Sequence, residues 1–243
     1  MKNFPKVALV TGAVGGIGKA TVERFLQEGL KVVASDILPE NEFLDNANVV
    51  FLPHDVSIAE SWTSVLKKVR ERFGRLDILV NNAGIGTLPD IEEEEDAGWQ
   101  EMLDINGKSI WLGIKSVVPL MRTNNYGSIV NVSSIFGASG GFGKSTAYHA
   151  SKGVVSAVTR NAAIRYAPEN IRVNAVSPGF VKVAREEKTI EKVKRTALMW
   201  ACIGGHVAPL GRNVVLRGET DPAYWYAGYG AHITVGGTSW DTR

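Results

Sequence analysis

The sequence predicts a single α/β domain, with helices covering both faces of a mostly parallel, doubly wound sheet of about seven strands. Short apolar runs rich in β-branched residues alternate with longer amphipathic runs, as in successive β-α-β units. A glycine-rich turn joins the first apolar run to the first amphipathic run. We expect residues 1–243 to form one domain, with an atypical C-terminal region from about residue 181 to 243.

The predicted strands are 6–11, 31–36, 49–52, 76–81, 127–133, 171–176 and 231–235. The predicted helices are 16–28, 58–73, 98–122 and 147–166. In the second helix, Trp62, Val65 and Val69 fall on one face, and Ser57 with Glu60 matches a capping box. After about residue 181 the regular alternation fades into an aromatic, glycine-rich tail.

Composition excludes several classes of protein. The formal net charge is +2, from 27 basic and 25 acidic residues, so no broad attraction to nucleic acid or anionic membranes is expected. No segment has the roughly 20 apolar residues that a membrane-spanning helix needs. The single cysteine, Cys202, rules out an intramolecular disulfide and suits a reducing compartment, so we expect a cytoplasmic protein. No histidines are paired at metal-ligand spacing, and no metal is expected.

The first predicted strand runs into a glycine-rich turn that carries Gly12, Gly16 and Gly18, and a helix follows. Glycines there permit a tight turn, close approach of a pyrophosphate and packing of the helix on the strand. The spacing differs from the commonest Rossmann fingerprint, but the strand before it and the helix after it favour dinucleotide binding. Asp36 ends the second predicted strand, where a carboxylate can bind the ribose hydroxyls and repel a 2′-phosphate. Because positions 15 and 37 are Gly and Ile, NAD is favoured over NADP.

Tyr148 and Lys152 are four residues apart in a predicted helix, so their side chains share one face. A neighbouring ammonium favours the phenolate and lowers the pKa of a tyrosine from its usual value near 10. Such a tyrosine can exchange a proton with an alcohol. Ser133 and Ser134 end the strand 127–133, at the edge where ligands bind in open α/β sheets.

Together these motifs resemble the short-chain dehydrogenase/reductase family over about residues 5–182. The resemblance rests on the turn from Thr11 to Gly18, Asp36, Asp55-Val56, Asn81 to Gly84, Asn106, Ser134, the Tyr148/Lys152 pair, Asn174 and Pro178-Gly179.

By this resemblance, Asn106, Ser134, Tyr148 and Lys152 are the catalytic tetrad, and Ser134 is chosen because the family's serine is the second of the pair. The resemblance also implies cofactor contacts from Gly12, Gly16, Ile17, Gly18, Asp36, Asp55, Val56, Asn82, Ala83, Gly84, Tyr148, Lys152, Pro178, Gly179 and Val181.

The chain departs from the family at two places. Val183 stands where the family usually has a threonine that binds the nicotinamide carboxamide, and an aromatic segment, 218–230, replaces the usual late helix. Two glycine patterns near residues 137–145 suit a P-loop or a hydrolase elbow, but the partner residues that such sites need are lacking.

The predicted function is reversible hydride transfer between NAD and a secondary alcohol/ketone pair, with Tyr148 as general acid–base. A 3-oxoacyl-thioester reductase and a non-catalytic NAD-binding protein are the alternatives. Phe136, Phe142, Phe180 and Trp200 suggest an apolar or ring-bearing substrate, although scattered aromatic residues are more often part of a core. The family commonly forms dimers or tetramers in which the helices near 98–122 and 147–166 pair with their two-fold mates, and we expect a homo-oligomer with Trp111, Leu112 and Val155 as candidate contacts.

Overall fold

The computed structural model describes residues 5–39, 47–141, 144–179 and 181, together with strands within 201–207, 212–213, 232–235 and 238–241. Its six parallel strands are β1 (Val7–Thr11), β2 (Lys31–Asp36), β3 (Val49–Pro53), β4 (Ile78–Asn81), β5 (Gly127–Val132) and β6 (Ile171–Pro178).

These six strands lie in the order β3-β2-β1-β4-β5-β6. From β1 the strand order runs outward to β3 on one side, and from β4 it runs outward to β6 on the other side. At such a switch point, here between β1 and β4, a crevice opens beyond the carboxyl ends of the strands. β7 (Ala201–Val207) and β8 (Arg212–Asn213) extend the sheet as antiparallel strands, with β7 paired to β6. The predicted mostly parallel Rossmann sheet is therefore confirmed.

The last predicted strand is wrong in its pairing. β9 (His232–Val235) pairs antiparallel with β10 (Thr238–Asp241) in a separate two-stranded sheet, and it adds no seventh parallel strand. Gly236 and Gly237 separate the two strands in the sequence, and a two-residue Gly-Gly connection is typical of a β-hairpin.

The helices are α1 (Gly16–Gln27), α2 (Ala59–Phe73), α3 (Asp96–Met102), α4 (Ser109–Thr123) and α5 (Thr146–Tyr166). A π-helical turn, Leu103–Lys108, joins α3 to α4, so the predicted helix 98–122 is a continuous helical run with a local change of hydrogen bonding. Such turns are frequent at functional sites. The predicted capping box of α2 is wrong, because Ile58 is the N-cap and the Ser57 hydroxyl donates to Asp55 Oδ1 instead.

Two apolar clusters hold the helices against the sheet. One contains the fully buried Leu9, Leu79 and Ile129 and packs under α2, α4 and α5. The other contains Val10 and Val32 and packs under α1. Burial of apolar side chains on both faces explains why the central strands read as nearly continuous hydrophobic runs.

Candidate active site

A cleft of about 840 Å³ lies along the carboxyl ends of the parallel strands. It is lined by most of the residues that the sequence identified, namely Gly12, Ile17, Asp36, Asp55, Val56, Asn82, Ala83, Gly84, Ser134, Tyr148, Lys152, Pro178, Gly179 and Val181. Their convergence follows from the topology, because parallel strands bring their carboxyl ends to one edge.

Gly16 and Gly18 lie in the first turn of α1 and not on the cleft wall. A Cβ built on Gly18 would lie 2.0 Å from the Gly12 carbonyl oxygen and 2.6 Å from Asn82 Nδ2. Gly18 therefore lets α1 approach the turn closely. The Asn82 Nδ2 amide donates to the carbonyls of Thr11 (3.0 Å) and Gly12 (2.9 Å), which ties the end of β4 to the turn.

The amino end of α1 suits a bound pyrophosphate. Gly15 is the N-cap, it makes no side-chain capping bond, and the first turn contains no acidic residue. Gly15 and Ile17 both line the cleft. Backbone N–H groups and the positive end of the helix dipole are therefore available to an anion there.

Asp36 lines the cleft and also forms a hydrogen bond with the glycine-rich turn. Its Oδ2 accepts from the Val14 N–H and its Oδ1 from the Leu38 N–H, both at 3.0 Å. A carboxylate has about four acceptor positions, so capacity remains for two ribose hydroxyls. Ile37, beside it, is 71% exposed and offers a 2′-phosphate no charge.

Lys152 is deeply buried, with 5% of its surface exposed. Its Nζ donates to the Val132 carbonyl at 2.9 Å and lies 5.6 Å from the centroid of the Tyr148 ring. Burial lowers the pKa of Lys152 from 10.5 to about 8. The ammonium is thus held between the end of β5 and the tyrosine, in surroundings that weaken its hold on the proton.

The two serines that follow β5 have different hydrogen bonds. The Ser133 hydroxyl is 3.0 Å from the Lys152 carbonyl, to which it donates. Ser134 Oγ instead accepts the Phe136 N–H at 3.2 Å, so its own hydrogen remains available to an oxygen in the cleft. This difference supports the choice of Ser134 over Ser133.

Asn106 lies in the π-helical turn, fully buried and away from the cleft wall. Its Oδ1 accepts the Ile85 N–H at 2.8 Å, and its Nδ2 donates to the Ile85 carbonyl at 2.9 Å and to Ser151 Oγ at 3.1 Å. The side chain therefore fastens the segment after β4 to α5. A second set of buried hydrogen bonds joins β4 and β5 to α5. The Asn131 side chain accepts a hydrogen bond from Asn81 (2.8 Å) and donates one to Thr159 (2.9 Å).

Sequence reasoning missed several residues that line the cleft: Leu38, His54, Ile85, Gly86, Thr87, Leu88, Ile105, Ile135 and Ser145. A signal existed for Ser145, which lies immediately before the helix that carries Tyr148. Burial lowers the pKa of His54 to about 4, so it adds no positive charge at neutral pH. Phe142, Phe180, Val183 and Trp200 lie outside the described residues.

Within the described part of the chain, no group of three or more His, Cys, Asp or Glu side chains is placed to hold a metal ion. The same residues contain no helix of the length and apolar character needed to cross a membrane.

Comparison with known proteins agrees with this geometry. The family model described as short chain dehydrogenase matches residues 6–194. The 3-oxoacyl-[acyl-carrier-protein] reductase FabG of Thermotoga maritima is 42% identical over 202 residues, which cover 79% of this chain and 81% of that protein. The 3-alpha-(or 20-beta)-hydroxysteroid dehydrogenase of Mycobacterium tuberculosis is 39% identical over 199 residues, covering 79% and 75% of the two chains.

Among solved structures, ElxO with NADP bound superimposes with a TM-score of 0.73 at 33% identity, covering 79% of this chain and 80% of that one. The family model covers more than half of the chain, and the relatives are oxidoreductases that act on CH–OH groups. The chain therefore belongs to the short-chain dehydrogenase/reductase family and is an oxidoreductase of alcohol/ketone or 3-oxoacyl substrates.

Proposed function

We propose that this enzyme transfers a hydride reversibly between NAD and a secondary alcohol/ketone pair, with Tyr148 as the general acid–base. The observation that carries the proposal is the buried Lys152 ammonium beside the Tyr148 ring, in a cleft that Ser134 also lines. Bound NAD supplies the hydride acceptor, and the protein supplies orientation and proton transfer.

In the oxidative direction Ser134 donates a hydrogen bond to the substrate oxygen, while Tyr148 takes its proton. The Lys152 ammonium stabilises the resulting phenolate charge, and the Val132 carbonyl keeps that ammonium in place. Asn106 holds the Ile85 backbone and α5 at a constant separation. We propose that Asn106 also supports a relay of the transferred proton through water.

We propose NAD rather than NADP because the Asp36 carboxylate, Ile37 and Gly15 surround the expected position of the ribose 2′-hydroxyl. Among the described residues that line the cleft, Lys152 is the only lysine or arginine, and it lies beside Tyr148. A 2′-phosphate would therefore meet a like charge with no compensating cation there.

The experiment is a steady-state assay of the full chain with NAD and then NADP, across secondary alcohols, ketones and 3-oxoacyl thioesters. We expect turnover of secondary alcohols with NAD. The similarity to the Thermotoga maritima enzyme favours a 3-oxoacyl-thioester reductase as second candidate, and thioester turnover alone would select it. Binding of NAD with no turnover of any substrate would instead indicate a non-catalytic NAD-binding protein.

We further propose that residues 1–243 form one domain, since the antiparallel pairing of β7 with β6 joins the later chain to the same sheet. The single cysteine in the sequence supports a cytoplasmic location.

A homo-oligomer, tetramer or dimer, is proposed because Trp99, Trp111, Val154 and Ile164 on α3, α4 and α5 are exposed. Leu112 and Val155 were wrong choices as contacts, because both pack in the chain's own core. Neighbouring helix positions differ by about 100° in direction, so Trp111 and Leu112 face opposite environments. Sedimentation of wild type and Trp111→Glu tests the proposal, and a monomeric wild type would contradict it.

A further inference from the structure

A flat aromatic side chain stands beside Tyr148 in the cleft. The Phe136 ring lies 6.4 Å from the Tyr148 ring between centroids, and the two planes are nearly perpendicular at 79°. The Phe136 backbone N–H also donates to Ser134 Oγ. Phe136 is therefore tied, through its ring and its backbone, to the two residues that are proposed to handle the substrate oxygen.

His149 supports the Phe136 ring from another side. The two rings stack with 4.7 Å between centroids and 28° between planes. His149 Nδ1 is 2.8 Å from the Ser145 carbonyl oxygen. Because a carbonyl only accepts, Nδ1 carries the hydrogen, and this bond sets the orientation of the imidazole.

The stacked pair has little room to move. A Cβ built on Gly141 would lie 2.6 Å from His149 Nε2 and 2.9 Å from Phe136 Cε1, so the loop backbone borders both rings. Among the described residues, the buried His149 Nε2 has no hydrogen-bond partner. The contacts that the imidazole makes with this part of the chain are its stacked face on Phe136 and its Nδ1 hydrogen bond to the Ser145 carbonyl.

We propose that His149 is a positioning residue that holds Phe136 as a rigid wall, and that this wall selects secondary alcohols whose carbinol carbon belongs to a ring. A saturated ring presents a rigid row of C–H groups to the face of Phe136. An open chain must lose bond rotations to make the same contact, which reduces its net binding. The inference rests on the proposed function and specifies its substrate class.

The test compares cyclohexanol with 2-hexanol, which have the same number of carbons, in the full-length enzyme with NAD. Wild type is expected to have the higher kcat/KM for cyclohexanol. In His149→Ala, kcat/KM for cyclohexanol should fall about threefold to tenfold, mainly through KM, as expected for loss of one aromatic contact. The value for 2-hexanol should change by less than about twofold.

Three further variants test whether the stacked ring of His149 causes the preference for cyclohexanol. His149→Asn can still donate to the Ser145 carbonyl but lacks the ring, so it should behave like His149→Ala. Gly141→Ala would place its Cβ against both rings, so it should displace the ring pair and lower the ratio of kcat/KM for cyclohexanol to kcat/KM for 2-hexanol. Ser139→Ala is the matched control, because this hydroxyl lies in the same loop and its one hydrogen bond within the described part of the chain goes to the Ile135 carbonyl at 3.1 Å. Its ratio should equal that of wild type.

If His149→Asn kept the wild-type preference for cyclohexanol over 2-hexanol, the hydrogen bond and not the stacked ring would determine that preference. This result would overturn the proposal. Equal kcat/KM of wild type for the two alcohols would overturn this inference alone. Turnover of neither of these alcohols would overturn this inference, and turnover of no secondary alcohol or ketone at all, with NAD still bound, would overturn the proposed function as well.

Discussion

Replacing Lys152 by methionine should stabilise the protein in the absence of cofactor while abolishing its activity. The pKa of Lys152 falls from 10.5 to about 8 in the folded chain. At about 1.36 kcal/mol per pKa unit, holding the charge in the folded state costs about 3 kcal/mol at pH 7. Lys152→Met removes this cost, but it also removes the hydrogen bond to the Val132 carbonyl, which offsets roughly 1–2 kcal/mol of the gain. We therefore expect the free energy of unfolding to rise by about 1–2 kcal/mol.

The sign of the pH dependence follows from the direction of the shift. Because the folded pKa lies below the unfolded value, the cost is fully present below about pH 8 and disappears as pH rises toward 10.5. The advantage of Lys152→Met over wild type should therefore shrink by about 2 kcal/mol between pH 7 and pH 9.5. Urea unfolding of both proteins at several pH values measures this difference, and groups that titrate in both proteins cancel.

Lys67→Met is the matched control, because the Lys67 side chain is 76% exposed. Its effect on the free energy of unfolding should be small and nearly independent of pH. The reasoning would be refuted if the difference in free energy of unfolding between Lys152→Met and wild type stayed constant from pH 7 to pH 9.5. In that case burial would not destabilise the ammonium, and the pKa of Lys152 would be the same in the folded and unfolded chains.

The other predictions concern the acid–base, the cofactor preference and the glycine turn. Tyr148→Phe should retain NAD binding while kcat falls by roughly 10²–10⁴-fold, and near-wild-type turnover would remove the central claim. Asp36→Asn should lower kcat/KM with NAD by about 10–100-fold, as expected for loss of hydrogen bonds to a charged group, and bring it closer to kcat/KM with NADP. An unchanged ratio of kcat/KM with NAD to kcat/KM with NADP would contradict the assignment. Gly18→Ala should lower the free energy of unfolding by roughly 1–3 kcal/mol or more, because its Cβ would lie 2.0 Å from the Gly12 carbonyl oxygen. Gly140→Ala is the control, because its Cβ would meet no atom of the described residues within 4 Å, and equal thermal melts of the two glycine variants would refute the packing argument.

The sequence by itself determined the parallel core of the fold and which residues would converge. Strands and helices follow from local periodicity, and alternation of the two leads to parallel strands joined by crossover helices. Once the strands are parallel, residues at their carboxyl ends must share one edge of the sheet. Asp36, Asn82 and Ser134 come from three separate strand ends and line one cleft for that reason.

Tertiary structure alone decided how each side chain is used. The spacing of Tyr148 and Lys152 showed that they share a face, but the burial that lowers the pKa of Lys152 depends on everything packed around it. Asn106 belongs to the motif in sequence, yet its amide is occupied by Ile85 and Ser151.

The stacking of His149 on Phe136 brings together residues thirteen positions apart through the loop between β5 and α5, where no periodic pattern exists to predict a contact. The run 231–235 has the apolar character of a core strand, but His232–Val235 pairs with Thr238–Asp241 instead. Strand periodicity specifies which face of a strand is apolar, and it leaves the choice of partner to the packing of the whole chain.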